Sequence, residues 1–126
     1  MGADQIYAQR VIELKKQYEG ITLEAAIPCC DQDKRWPQKY QNEYKRLLAL
    51  CDKRLFVSER PYFDGCMAKR NNYMVSRADY LLAIWDGSSG GTCSTVNSAL
   101  RKGIPIIIID PITLTVRWGR ENGRTR

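Results

Sequence analysis

The sequence predicts an α/β protein, a parallel sheet with helices on both faces. Three observations carry that expectation. Helical and strand patterns alternate along nearly the whole chain, starting on a helix. The strands are near-continuous apolar runs, as in Leu81-Leu82-Ala83-Ile84 and Ile106 to Ile109, and such strands need cover on both faces. Polar residues then gather just after the strand ends, where ligands bind in sheets of this kind.

The elements follow in order. Gly2-Ala3-Asp4 precedes a helical pattern in which Tyr7, Ala8, Val11, Ile12 and Leu14 recur at spacings of three and four, with Asp4 placed to cap it. Glu19-Gly20 ends that helix, and Ile21 to Ile27 reads as a strand closed by Pro28. A polar loop with Asp31, Gln32 and Asp33 leads to Pro37, which suits the first turn of a second helix carrying Tyr40, Tyr44, Leu47, Leu48 and Cys51. Residues 53–58 form a short strand, and Pro61 and Asp64-Gly65 make the loop after it. A third helix is expected from about Cys66 to Arg77, with polar Arg70, Asn71 and Asn72 interrupting its apolar pattern.

The stretch from Tyr80 to Thr92 organises the rest. An apolar strand ends in Trp85-Asp86, passes through Gly87-Ser88-Ser89-Gly90-Gly91 and opens a helix at Thr92 that places Val96, Ala99 and Leu100 on one face. Such a loop lets backbone approach a ligand, and the free N–H groups at the helix start favour a phosphate or other anion. That helix stops at Gly103, a last strand runs from Pro105 to Ile109, and regular pattern is lost after Asp110-Pro111. Because the alternation begins on a helix, the first strand or strands of the sheet are expected to be missing: either the chain is a version shortened at the N-terminus, or another chain completes or covers the sheet edge. A homo-oligomer is the expectation drawn from that gap.

Composition narrows the function. The chain has 126 residues, 44% apolar and 27% charged, which fits one soluble globular domain. No apolar run approaches a membrane span and the start, Met1-Gly2-Ala3-Asp4-Gln5, does not resemble a signal peptide, so a cytoplasmic protein without a membrane partner is expected. Five cysteines, no C-x-x-C pair and no histidine argue against a metal site, a disulfide framework, and any Cys-His or Ser-His nucleophile. No cofactor is expected. The net charge is +6, and Arg117, Arg120, Arg124 and Arg126 against Glu121 leave +3 on the last ten residues, read here as a basic tail over 112–126. Such a tail can hold nucleic acid, but the body is only mildly basic and nucleic acid is not the favoured partner.

Taken together, Gly2-Ala3-Asp4, Ala26-Ile27-Pro28 with Gln32 and Trp36, Arg70-Asn71 with Met74-Val75, Trp85-Asp86, and Gly90-Gly91-Thr92 with Val96 and Ala99 resemble the YpsA-like branch of the SLOG superfamily, over residues 2 to about 111. The resemblance implies a Rossmann-like fold over 1–111 that binds a nucleotide or nucleotide-derived molecule. On that footing the site comprises Gly2, Ala3, Asp4, Pro28, Gln32, Arg70, Asn71, Asp86, Gly87, Ser89, Gly90, Gly91, Thr92 and Thr95, with Arg70 on a phosphate or a base. LOG-type phosphoribohydrolases look similar in this loop, but aligning their P-G-G-x-G-T-x-x-E pattern puts Thr95 where they carry the catalytic Glu. A hydroxyl cannot do the work of that carboxylate. A sensor or binding module is therefore expected ahead of a hydrolase of nucleoside monophosphates, in which Asp86 would be the catalytic candidate, and ahead of a single-strand nucleic-acid binder like the DprA-type proteins.

Overall fold

Residues 2–119 are described in a computed structural model of the chain, and residues 120–126, the last seven of the expected basic tail, lie outside them. The elements run α1 (Ala3–Lys15), β1 (Glu24–Ile27), α2 (Gln38–Ala49), β2 (Lys53–Phe56), α3 (Cys66–Arg77), β3 (Leu81–Ile84), α4 (Gly91–Lys102), β4 (Ile106–Asp110) and β5 (Thr115–Trp118). This is the alternation of an α/β, Rossmann-like fold. The chain divides into two compact units, Met1–Cys66 and Met67–Arg126.

In the first unit β1 and β2 pair in parallel, Ala26 opposite Leu55, with α2 as the crossover. Val11, Leu23, Ile27, Cys29, Leu47 and Cys66 are its buried apolar residues. The strand expected from Ile21 begins only at Glu24, because Leu23 is tied elsewhere. Its N–H donates to Asp52 Oδ2 (2.8 Å) and its carbonyl accepts from the Asp52 N–H (2.8 Å). Asp52 also accepts from Lys15 Nζ, which anchors the end of α1 and, with the Leu23 N–H, holds the carboxyl below its ordinary range. Asp4 does not cap α1 as expected. Gly2 is the N-cap residue, without a side-chain bond, and Asp4 sits in the first turn with Oδ1 accepting from the Gln5 N–H. Acidic charge there still suits the positive end of the helix.

Cys29 and Cys66 lie fully buried beside one another, and burial first, then the neighbouring Cys66, pushes the Cys29 thiol up to about 11. The thiolate is the reactive form, so in native protein near pH 8 iodoacetamide should label exposed Cys30 and spare Cys29 and Cys66 until the chain is unfolded. Mass mapping of labelled peptides checks this; native labelling of Cys29 at the rate of Cys30 would refute it.

In the second unit β3 and β4 pair in parallel, Ala83 opposite Ile108, and α4 crosses between them. The core is one cluster: Val75 of α3, Val96 and Ala99 of α4, Ala83 of β3, and Ile104, Ile106 and Ile108 at β4. Helix α3 has the limits expected of it, although Met67 and Met74 stay about half exposed and, of its residues in the second unit, only Val75 is buried in this cluster. Helix α4 starts one residue before Thr92 and ends on Gly103, whose left-handed φ of 84° lets its N–H return to the Ala99 carbonyl at 2.9 Å. The pattern does not end after Asp110 as expected. Residues 115–118 form β5, antiparallel to β4 with Ile109 opposite Val116, so the sheet is parallel except for this edge. Asp110 makes the turn, its Oδ1 accepting from the Ile112 N–H at 2.8 Å. Among the described residues no helix is long and apolar enough to cross a membrane.

Candidate functional site

The loop after β3 is held by its own side chains. Asp86 Oδ1 accepts from both the N–H (2.9 Å) and the hydroxyl (2.6 Å) of Ser88, and Trp85 Nε1 donates to the Ser88 carbonyl at 2.8 Å. This is an Asx turn clamped by an indole, and it fixes the chain before the glycines. The Ser88 hydroxyl, then its N–H, hold the Asp86 carboxyl below the ordinary range. A group depressed on folding adds stability above its unfolded pKa of about 3.9 and loses it as pH falls through the folded value. The Asp86 carboxyl carbon, followed by NMR, should therefore titrate below about 3.9, and a midpoint at or above that value would contradict the clamp.

The helix that follows begins bare. Its first intrahelical bond is Ser94 N–H to the Gly90 carbonyl (3.1 Å), no side chain caps it, and the N–H groups of Gly91, Thr92 and Cys93 have no acceptor among the described residues. They border a hollow of about 210 Å³ lined by Ile84, Trp85, Asp86, Ser88 to Cys93, and Pro111. Gly90 and Gly91 have different physical grounds. Gly90 has φ 138° and ψ −162°, a region open essentially to glycine, and so the backbone demands it. Gly91 has no positive φ, and a Cβ there would meet no atom within 4 Å, so neither backbone nor packing demands glycine. A second hollow of about 240 Å³ lies on the other side of Gly91, between α3 and α4, lined by Met67, Ala68, Asn71, Asn72, Gly91, Ser94 and Thr95.

Of the expected site residues, Asp86, Ser89, Gly90, Gly91 and Thr92 line the first hollow, and Asn71, Gly91 and Thr95 the second. Thr95 is partly committed, its hydroxyl donating to the Gly91 carbonyl at 2.9 Å. Gly87 makes the turn at φ 94° without lining either hollow, and half-buried Arg70 also lines neither, its Nε donating to Asn71 Oδ1 at 2.8 Å. Gly2, Ala3, Asp4, Pro28 and Gln32 belong to the first unit: the first three open α1, Pro28 is buried at the end of β1, and Gln32 lies in the turn after it. Ser88 was not among the expected residues, although Asp-x-Ser is the sequence signal of an Asx turn. Asn72 stands out in the sequence only as part of the polar interruption of the third helix, and Cys93, Pro111, Met67, Ala68 and Ser94 carry no sequence signal. Among the described residues no three His, Cys, Asp or Glu side chains converge as metal ligands.

Fold and loop together define an α/β, Rossmann-like protein with a glycine-edged hollow at a strand's C-terminal end. The YpsA family model, described as the YspA SLOG family, matches residues 1–110, and the chain belongs to that family. It is 33% identical over 110 residues to the uncharacterized SPbeta prophage-derived protein YoqJ of Bacillus subtilis (strain 168), a match covering 79% of this chain and 64% of the relative. It is 24% identical over 124 residues to the UPF0398 protein YpsA of the same strain, covering 92% and 69%. To the UPF0398 protein ABC2016 of Shouchella clausii (strain KSM-K16) it is 33% identical over 94 residues, covering 73% and 50%. The matches thus span half to about two-thirds of these relatives' length.

Proposed function

We propose that the protein binds a nucleotide or nucleotide-derived small molecule whose phosphate sits on the amides of Gly91, Thr92 and Cys93, and that it acts as a sensor or binding module. The observation that carries this reading is Gly91. A residue at the first position of a helix that neither backbone nor packing requires to be glycine leaves space for a ligand to approach three unpaired N–H groups. Asp86 has one carboxylate oxygen engaged by Ser88, and its second oxygen is the acceptor for a sugar hydroxyl. The hollow beyond Gly91, with two amide side chains and Met67, suits a base.

Binding is favoured over hydrolysis by the carboxylate inventory. Cleaving a glycosidic bond through an oxocarbenium-like state ordinarily draws on two carboxyl groups. Among the described residues that line the two hollows Asp86 is the one carboxylate, on the first hollow, and it is already held by Ser88 as the loop clamp.

A thermal-shift screen of nucleoside mono-, di- and triphosphates and dinucleotides, with mass spectrometry of each mixture, tests the reading. A ligand at a hundred times its Kd should add about 2.7 kcal/mol and be recovered intact. Release of free base would replace the binding module by a hydrolase, and no shift with any phosphate ligand would remove the reading. Arg70→Ala separates a phosphate role from a structural one. It should weaken binding by about 1.5–3 kcal/mol if Arg70 reaches the ligand, and unchanged affinity would leave Arg70 a structural role.

A further inference from the structure

The hollow between α3 and α4 is lined by residues of the second unit alone, Asn71 and Asn72 of α3 among them. A free asparagine reads adenine: its oxygen accepts from the N6 amino group while its amide donates to N7. Neither asparagine is free in that sense. Asn71 Oδ1 accepts from Arg70 Nε at 2.8 Å, and because a guanidinium only donates, the amide cannot turn over without setting its own N–H groups against that donor. Asn72 is oriented through a relay. Arg101 Nη2 donates to Ser98 Oγ at 3.1 Å, which leaves the Ser98 hydroxyl proton for Asn72 Oδ1, a longer contact of 3.4 Å. Arg70 and Ser98 line neither hollow, so each amide oxygen is turned to a residue outside the cavity. The two Nδ2 groups have no acceptor among the described residues, and they are what the amides have left to offer a ligand.

We propose, on the reading that the protein binds a nucleotide, that this hollow selects a 6-oxopurine base, guanine or hypoxanthine, whose neighbouring N7 and O6 accept from Asn71 and Asn72 Nδ2. On that edge guanine presents two acceptors, whereas adenine presents N7 and the N6 donor, and cytosine the N4 donor. An amino group placed there would meet N–H groups instead of an acceptor. Donor set against donor is how a site rejects a ligand of nearly the same shape, since both are left unpaired. The other polar groups of the hollow do not oppose the choice. The Ser94 hydroxyl can rotate to serve either kind of base. The Thr95 oxygen, its proton given to the Gly91 carbonyl, is an acceptor, and a 6-oxopurine has a ring N1–H to give. The two amides therefore decide between the bases.

Calorimetric titration of the protein with guanosine, inosine and adenosine monophosphates, which share sugar and phosphate, tests this. The guanosine and inosine ligands should each bind about tenfold or more tightly than the adenosine one. Asn71→Asp keeps the oxygen that Arg70 holds and removes the donor. It should lower the guanosine-to-adenosine affinity ratio by about tenfold, whatever its added charge does to both ligands alike. Asn72→Asp makes the same exchange beside Ser98 and should move the ratio in the same direction, which keeps the test open should Asn71→Asp fail to fold. Equal affinities for the three ligands, or a ratio unchanged in both variants, would overturn the base preference and leave nucleotide binding standing. Binding of none of the three would remove the nucleotide reading itself, and the preference with it.

Discussion

Replacing Gly91 with valine should abolish ligand binding and leave stability within about 1 kcal/mol of the parent. Gly91 opens α4 without a positive φ, and a Cβ there has no neighbouring side chain or other element within 4 Å. Valine is a somewhat better helix residue than glycine, so the helix itself loses nothing. Its methyl groups would instead occupy the space beside the Gly91, Thr92 and Cys93 amides, at the edge shared by both hollows. The neighbouring glycine should behave differently. Gly90→Ala forces a side chain into φ 138°, a strain of about 1–3 kcal/mol, and should lower stability as well as binding. Denaturant midpoints and ligand titrations on the two variants check the contrast; equal loss of stability in both would mean that Gly91 is a structural residue after all.

The largest effect on stability is expected at Ile106. It is fully buried, at the centre of the cluster formed with Val75, Ala83, Val96 and Ala99. Ile106→Ala removes three carbons from a closely packed site and should cost about 2–5 kcal/mol, the range for large-to-small changes in cores, with the cavity term deciding where in that range it falls. Urea unfolding measures it. A loss below about 1 kcal/mol would mean that the second unit lacks the close packing described.

Much of the fold was legible because its signals are local. Cys66 to Arg77 was read to the residue, since helical spacing and the Asp64-Gly65 turn before it need no knowledge of partners. The start of β1 was not, because Leu23 leaves the strand ladder for Asp52, a residue far along the chain. Strand β5 was missed although Leu114-Thr115-Val116-Arg117-Trp118 alternates as a strand should. Its apolar residues face outward and uncovered, so the buried runs that marked the other strands had no counterpart there. The loop from Asp86 to Thr92 stood out through its glycines. What sequence did not reveal is how its side chains are committed: Asp86 to Ser88, and Thr95 back to its own helix, where a hydroxyl competes for the carbonyl four residues earlier. Asp86 thus serves as a clamp of its own loop, a role that its position at a strand end did not disclose.

The bare N-terminus of α4 is the proposed anion site. Amide resonances of ¹⁵N-labelled protein, followed during titration with nucleoside monophosphates, report on it directly. Binding as described moves the amides of Gly91, Thr92 and Cys93 most and saturably, with Asp86 and Ser88 following, and inorganic phosphate moves the same three amides more weakly. Saturable shifts confined to other parts of the chain, with these three unmoved, would contradict it.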